Sequence, residues 1–212
     1  EKNSGKIVVA DVGLPKELIE RVGPGDMLSY KKNEKESHKG QNGVLVAVGG
    51  SINYYGAPLY MVKSSLRMGI DLVYLFAPES IHPYIASNTQ DIILKRSGFN
   101  YIELNEELKN YILEKADAVL LGPGVSKTRE VLENSRKIID FSLGNNKKIV
   151  VDGDALSVIP DFNDFKNLCV ITPHRGEFKN IFNLEPNEEN AIKMAKKYNL
   201  VILLKGPVDI IT

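Results

Sequence analysis

Asp152, Asp154, Thr172 and His174 are the residues of this chain best placed to do chemistry. They follow two short apolar runs rich in β-branched residues, Ile149-Val150-Val151 and Val170-Ile171, each with the shape of a buried parallel strand. Each run breaks abruptly into Asp, Gly, Pro or His at its carboxyl end, the edge where open α/β sheets bind ligands. Two carboxylates, a hydroxyl and an imidazole at one rim could hold a Mg²⁺ near phosphates or bind hydroxyls. Asp152 and Asp154 point the same way if the segment is extended and are splayed if it turns. We expect Asp154 to cap a helix opening at Ala155-Leu156, which leaves Asp152 for a polar role in the site. His174 follows Pro173, which stiffens the turn and projects the ring, so we expect a ligand contact there. Its alternative is the ordinary fate of a lone histidine, a surface or satisfied core group. Glu177, three residues on, suits the first turn of a helix.

Three more strand-like runs end in the same manner, at Gly49-Gly50-Ser51, Gly122-Pro123-Gly124 and Lys205-Gly206-Pro207. Turns need Gly, Pro and Asp for backbone reasons alone, so each is weak by itself; together they point to one functional sheet edge. The side-chain-free backbone at Gly49-Gly50 can bring N–H groups close to an anion. Its spacing fits neither the dinucleotide fingerprint nor the Walker A pattern, which argues against a Rossmann dehydrogenase or a P-loop enzyme. Lys205 ends a wholly apolar run, so its ammonium must emerge at the rim or be paired. With Gly206 beside it, a backbone-and-lysine grip on a nucleotide is reasonable. No nucleophilic triad can be assembled, because Cys169 sits inside an apolar run and no serine occupies a nucleophile elbow. No second His or Cys completes a zinc set, and His38 and His82 look incidental.

The elements that must position these groups alternate. Strands are expected over 44–48, 72–77, 118–121, 149–151, 170–171 and 200–204, with an ambiguous run at 92–94. Helices are expected over 57–68, with Leu59, Val62 and Leu66 on one face, over 130–143, with Gly144 as the stop, and over 187–198. Such alternation implies a layered α/β fold around a mostly parallel sheet. Upstream, 6–10 reads as a strand followed by a helical patch to about Glu20, and 23–43 reads as a polar linker.

The chain has 212 residues, enough for one large domain or one domain with an appendage. Lys plus Arg and Asp plus Glu number 27 each, so no basic excess points to nucleic acid or an anionic membrane surface. The one cysteine, Cys169, rules out a disulfide framework within the chain and reads as a buried, inert thiol. No apolar run approaches a membrane span and no signal-peptide core opens the chain, so a cytoplasmic setting is expected.

Taken in order, Ser37-His38-Lys39-Gly40, Gly49-Gly50-Ser51 with Tyr55-Gly56-Ala57, Leu121-Gly122-Pro123-Gly124, Asp152-Gly153-Asp154-Ala155-Leu156, Thr172 to Phe178 and Leu204-Lys205-Gly206 resemble the ADP/ATP-dependent NAD(P)H-hydrate dehydratases. These metabolite-repair enzymes have the ribokinase-like fold. The resemblance runs from about residue 37 to the end. Val9 to Pro15 is similar to the closing segment of the NAD(P)H-hydrate epimerase domain often fused upstream. The implied organisation is the end of an epimerase-like domain and linker over 1–28, then a dehydratase domain over 29–212 that lacks its C-terminal part.

The resemblance implies that a nucleotide phosphorylates the hydroxyl of hydrated NADH or NADPH, and that loss of phosphate restores the dihydropyridine. It implies ADP or ATP with Mg²⁺ as cofactors and a homo-oligomer as the assembly. Carried over by motif, Ala57, Gly122, Gly124, Asp152 and His174 would contact the hydrated dinucleotide. Lys205, Gly206, Pro207, Val208 and Asp209 would line the nucleotide, although Pro207 and Asp209 depart from the usual residues there. Ribokinase-like enzymes place a Gly-x-Gly-Asp turn late in the chain, its Asp acting as base. Here only Gly23-Pro24-Gly25-Asp26 matches those letters, and it lies too early. The catalytic base is therefore expected beyond Thr212, the chain reads as a piece cut at both ends, and no catalysis is expected from it alone. A ribokinase-like kinase of a thiazole or pyrimidine alcohol, and a non-catalytic nucleotide-binding module, are the competing readings.

Overall fold

A computed structural model describes residues 13, 20–30, 33 and 36–212; the expected strand at 6–10 and most of the helical patch after it lie outside them. The chain divides into two compact units, Glu1–Lys35 and Glu36–Thr212. In the first, a 3-10 helix spans Pro24–Ser29, with Pro24 at its opening position, where a missing N–H costs nothing. The Gly23 N–H donates to Asp26 Oδ2 at 2.7 Å, so this Gly-Pro-Gly-Asp turn spends its aspartate on its own helix start.

The second unit begins with a turn pinned by Asp71. The Asp71 carboxylate accepts from the Gly40 N–H at 2.9 Å, the Asn42 N–H at 3.0 Å and the Asn42 side-chain amide at 3.1 Å. The 23–43 stretch thus carries local order at both ends. There follow β1 (Val44–Val48), α1 (Ala57–Arg67), β2 (Leu72–Ala77), α2 (His82–Asn88), β3 (Ile93–Arg96) and α3 (Glu106–Glu114). The second half comprises β4 (Ala118–Leu121), α4 (Arg129–Gly144), β5 (Lys148–Val151), a 3-10 helix (Gly153–Asp161), β6 (Cys169–Ile171), α5 (Arg175–Phe182), α6 (Glu188–Tyr198), β7 (Val201–Leu204) and β8 (Ile210–Ile211). The sheet order is β3-β2-β1-β4-β5-β6-β7-β8, parallel throughout except for β8, which runs antiparallel to β7.

Most boundaries follow their local chemistry. Thr128 caps α4 and Asn187 caps α6, each accepting from the N–H three residues on. Gly144 is the last helical residue of α4 and not its stop, which corrects the expectation. Asn146 takes the left-handed conformation (φ 54°) that ends the segment. The ambiguous run at 92–94 becomes the edge strand β3, and the short β8 carried too little pattern to be expected.

Alternate residues of the strands face opposite layers. On one face Val119, Leu121, Ile149, Val151, Cys169, Ile171, Ile202 and Leu204 are buried under α3, α4, the 3-10 helix, α5 and α6. On the other, Leu45, Ala47, Val73, Leu75 and Ala77 are buried under α1 and α2. That second cover stops near β4, so Leu120, Val150, Val170 and Leu203 are only half-buried, although parallel strands are ordinarily covered on both faces. Cys169 lies in the covered layer, and burial pushes its thiol up to about 12, consistent with an inert role.

The Asn42 N–H, with help from the Asn42 amide and the Gly40 N–H, holds the Asp71 carboxyl below its ordinary value of 3.8. A carboxyl depressed in the folded state adds stability above pH 3.8, and that stability is lost as pH falls through the lower folded-state value. Asp71→Asn should therefore flatten the acid side of the stability profile, read as urea midpoints from about pH 5 to about pH 2. An unchanged pH dependence would remove Asp71 as the anchor of this turn.

Candidate functional site

The order of the strands locates the site before any side chain is considered. From β1 the chain steps outward to β2 and β3, then returns to the other side of β1 and proceeds from β4 to β7. The direction reverses between β1 and β4, and ligands of open α/β sheets bind at the carboxyl ends flanking such a switch point. The turns there are Gly49-Gly50-Ser51 and Gly122-Pro123-Gly124.

These glycines let backbones touch. The Gly50 N–H donates to the Pro123 carbonyl at 2.9 Å and the Gly49 N–H to the Phe76 carbonyl at 3.1 Å. Both N–H groups are spent within the protein, so the expectation that they meet an anion is corrected: this turn is a loop-to-loop seam. Gly122 has φ 124°, and a Cβ there would lie 1.9 Å from the Asp152 carbonyl oxygen. A Cβ on Gly124 (φ 78°) would lie 2.7 Å from the Tyr54 carbonyl oxygen and 2.9 Å from the Ala57 Cβ. The Gly122–Gly124 loop is therefore wedged between the start of α1 and the end of β5, and it brings Ala57 and Asp152 to one rim.

Asp152 and Asp154 are splayed. Asp152, and not Asp154, stands at the N-cap position of the 3-10 helix, yet its side chain makes no cap bond. Its Oδ1 instead accepts from Lys205 Nζ at 2.9 Å, across the intervening β6. Asp154, expected as the cap, sits in the first turn with Oδ1 3.5 Å from Lys127 Nζ. The correction has a local cause: Gly153 takes φ 60°, so the helix opens two residues earlier than the apolar pattern indicates.

His174 is the N-cap of α5. Its Nδ1 accepts from the Glu177 N–H at 3.1 Å, while Glu177 Oε2 accepts from the His174 N–H at 2.8 Å. This reciprocal capping box spends one ring nitrogen on structure, and the side chain remains 60% exposed on the rim. His174 pairs with Lys205 in a single parallel bridge, the Lys205 N–H donating to the Pro173 carbonyl at 2.9 Å. Beyond it, Gly206 to Asp209 are exposed, and Asp209 Oδ1 accepts from the Gly206 N–H at 2.9 Å, closing this loop on itself. Lys205 is thus both at the rim and paired, tying the ends of β5, β6 and β7 together.

A cavity of about 750 Å³ opens at the switch point, lined by Ala57, Pro123, Asp152 and Thr172 together with Tyr60, Lys63, Ser64 and Arg67 of α1. The four α1 residues were missed from sequence. Their spacing of i, i+3, i+4 and i+7 was a readable signal of one polar helix face. His174 and the Lys205–Asp209 loop lie outside that lining. Among the described residues no three His, Cys, Asp or Glu side chains cluster. The described residues by themselves therefore build no enclosed metal cage. Asp152 and Asp154, about one third exposed, suit the partial role in which one or two carboxylates hold a Mg²⁺ whose other ligands are phosphates and water.

The NAD(P)H-hydrate dehydratase model matches residues 45–212, which takes in every strand and helix of the second unit except the first residue of β1. The chain belongs to the NAD(P)H-hydrate dehydratase family. The bifunctional NAD(P)H-hydrate repair enzyme Nnr of Hyperthermus butylicus is 34% identical over 226 residues, covering 99% of this chain and 41% of that protein. The ATP-dependent (S)-NAD(P)H-hydrate dehydratase of Arabidopsis thaliana is 29% identical over 82% of this chain and 55% of its own length. Among solved structures, a ribokinase-like superfamily protein of Enterococcus faecalis superposes with a TM-score of 0.73 at 22% identity, covering 86% of this chain and 64% of that one. The fold is ribokinase-like. The chain spans about two fifths of the Hyperthermus protein it matches.

A methyl group at position 122 would force apart the backbones that frame the rim. Gly122→Ala should cost roughly 3 kcal/mol or more in chemical denaturation, as strain at positive φ adds to a backbone clash. A cost under about 1 kcal/mol would show that the loop moves freely and is no wedge.

Proposed function

We propose that the protein containing this chain dehydrates hydrated NADH or NADPH at the expense of ADP or ATP. The reading is carried by one observation. In a chain of this family, the strand ends of β1, β4, β5, β6 and β7, adjacent in the sheet, carry the turns whose residues resemble the family's motifs. The names of the Hyperthermus and Arabidopsis relatives support the substrate, and the latter supports ATP. Ala57, Gly122, Gly124, Asp152 and His174 would receive the hydrated dinucleotide. Lys205 to Asp209 would receive the nucleotide, with Lys205 as the cation facing its phosphates. Mg²⁺ would ride on those phosphates, with Asp152 or Asp154 as its protein ligand.

In the proposed reaction the ring hydroxyl oxygen takes the terminal phosphoryl group and gives up its proton, releasing AMP from ADP or ADP from ATP. The phosphate then departs with its C–O bond pair, and loss of a proton from the adjacent ring carbon restores the double bond. The base for the first step would come from a Gly-x-Gly-Asp turn outside this chain. Residues 1–28 would close an epimerase-like domain, and the protein would act as a homo-oligomer in the cytoplasm.

Incubating the full-length protein with hydrated NADH and ADP or ATP should regenerate the absorbance of the reduced ring with stoichiometric inorganic phosphate. A stable phosphoester without return of that absorbance would establish the kinase reading instead, and binding without turnover the non-catalytic module. Two substitutions separate structure from contact. His174→Asn keeps an N-cap acceptor, so stability should hold within about 0.5 kcal/mol while affinity for the hydrated dinucleotide falls; unchanged affinity would leave His174 a cap only. Lys205→Ala breaks a pair exposed by about a third on each side. It should cost about 1 kcal/mol or less in stability but lower nucleotide affinity by roughly tenfold or more, measured by calorimetry.

A further inference from the structure

The turn between β1 and α1 displays more aromatic surface than its fold requires. Tyr55 and Tyr84 stack on each other with ring centroids 4.8 Å apart and planes 23° apart. They remain 46% and 50% exposed, and Ile52 and Tyr54 on the same turn are each 55% exposed. Large apolar side chains gathered on one exposed rim mark a binding surface more often than chance. A pre-stacked pair has also spent its side-chain entropy before any ligand arrives.

Its place in the sheet narrows the ligand. Tyr55 is two residues before Ala57, and the Tyr54 carbonyl packs against Gly124, so the pair stands beside the switch point. Tyr84 lies in the first turn of α2, which follows β2. At about 4.8 Å per strand, the rim runs roughly 14 Å from β6, which carries His174, to β1, and roughly 19 Å to β2. The nucleotide loop lies on β7, at the opposite end. A dinucleotide carries two ring systems separated by a pyrophosphate. If the hydrated ring is held between Asp152 and His174, the second ring is directed toward β1 and β2.

We propose that the Tyr55–Tyr84 pair is the stacking platform for the adenine ring of the hydrated dinucleotide, a subsite distinct from the phosphoryl donor's. The inference rests on the hydrated dinucleotide being the substrate. The phenolic edges and faces that remain exposed supply the apolar, π-rich surface on which a purine settles without base-specific hydrogen bonds.

The test compares hydrated NADH with hydrated reduced nicotinamide mononucleotide, which has no adenine, in the full-length protein. Single Tyr55→Ala and Tyr84→Ala, the double variant, and the Phe counterparts are assayed for kcat and KM on both compounds. For the double Ala variant, the preference in kcat/KM for the dinucleotide over the mononucleotide should fall roughly 5- to 150-fold, the range for one base–aromatic stack. The loss should sit mainly in KM, and the Phe variants should keep the preference. An unaltered preference overturns the platform. So do equal losses on both compounds, whether from misfolding or from a changed oligomeric state in sedimentation, when the Phe variants share them. If the wild-type protein turns over neither compound, the dehydratase reading itself fails, and the platform with it.

Discussion

The rim of this protein depends on a backbone-to-backbone contact that no side chain can replace. Gly122 lies so close to the Asp152 carbonyl that a Cβ would sit at 1.9 Å, and Gly124 lies nearly as close to Tyr54. Because these two contacts run in opposite directions from one three-residue loop, they set the spacing between the start of α1 and the end of β5. The cavity beside them lies between α1 and the half-buried face of β4 and β5, where Leu120 and Val150 line it. The Gly50 N–H on the Pro123 carbonyl closes the same seam from the β1 side. Glycine is needed here twice over, for the close approach of backbones and for φ values of 124° and 78°.

Charge then acts on a frame that is already positioned. Lys205 reaches across β6 to Asp152, and the Pro173 carbonyl holds the Lys205 backbone, so three strand ends share one set of bonds. The pair is partly solvated and contributes little to stability by itself, but it presents an ammonium and a carboxylate at a fixed separation. His174 works in two directions, capping α5 with one nitrogen while its ring stays on the rim. A capping histidine is well suited to binding, because the box with Glu177 fixes the ring orientation before a ligand arrives.

Much of this was legible because short apolar runs rich in β-branched residues and bounded by Gly, Pro and Asp leave a clear pattern. Val44–Val48, Leu72–Ala77 and Ala118–Leu121 fall where their apolar runs predict, and the five polar strand ends do share one edge. The failures have physical causes. Asp154 lost the cap position because Gly153 adopts positive φ, a conformation that composition does not announce. The N–H groups of Gly49 and Gly50 looked free because their carbonyl partners, Phe76 and Pro123, are distant in sequence. The α1 face of Tyr60, Lys63, Ser64 and Arg67 went unnoticed because a polar helix face reads as solvent-facing until a cavity is found beside it.

The amino-acid sequence by itself determined the layer architecture, the family, and the identity of the residues at the rim, since these follow from local periodicity and from motifs fixed in order. Only the tertiary structure decided which of those residues meet. Asp152 and Lys205 are 53 positions apart, and they pair because β5, β6 and β7 are neighbours in the sheet. Tyr55 and Tyr84 stack because β1 and β2 are. Contact between distant residues depends on strand order and on the close approach of backbones, and neither quantity is carried by any local stretch of chain.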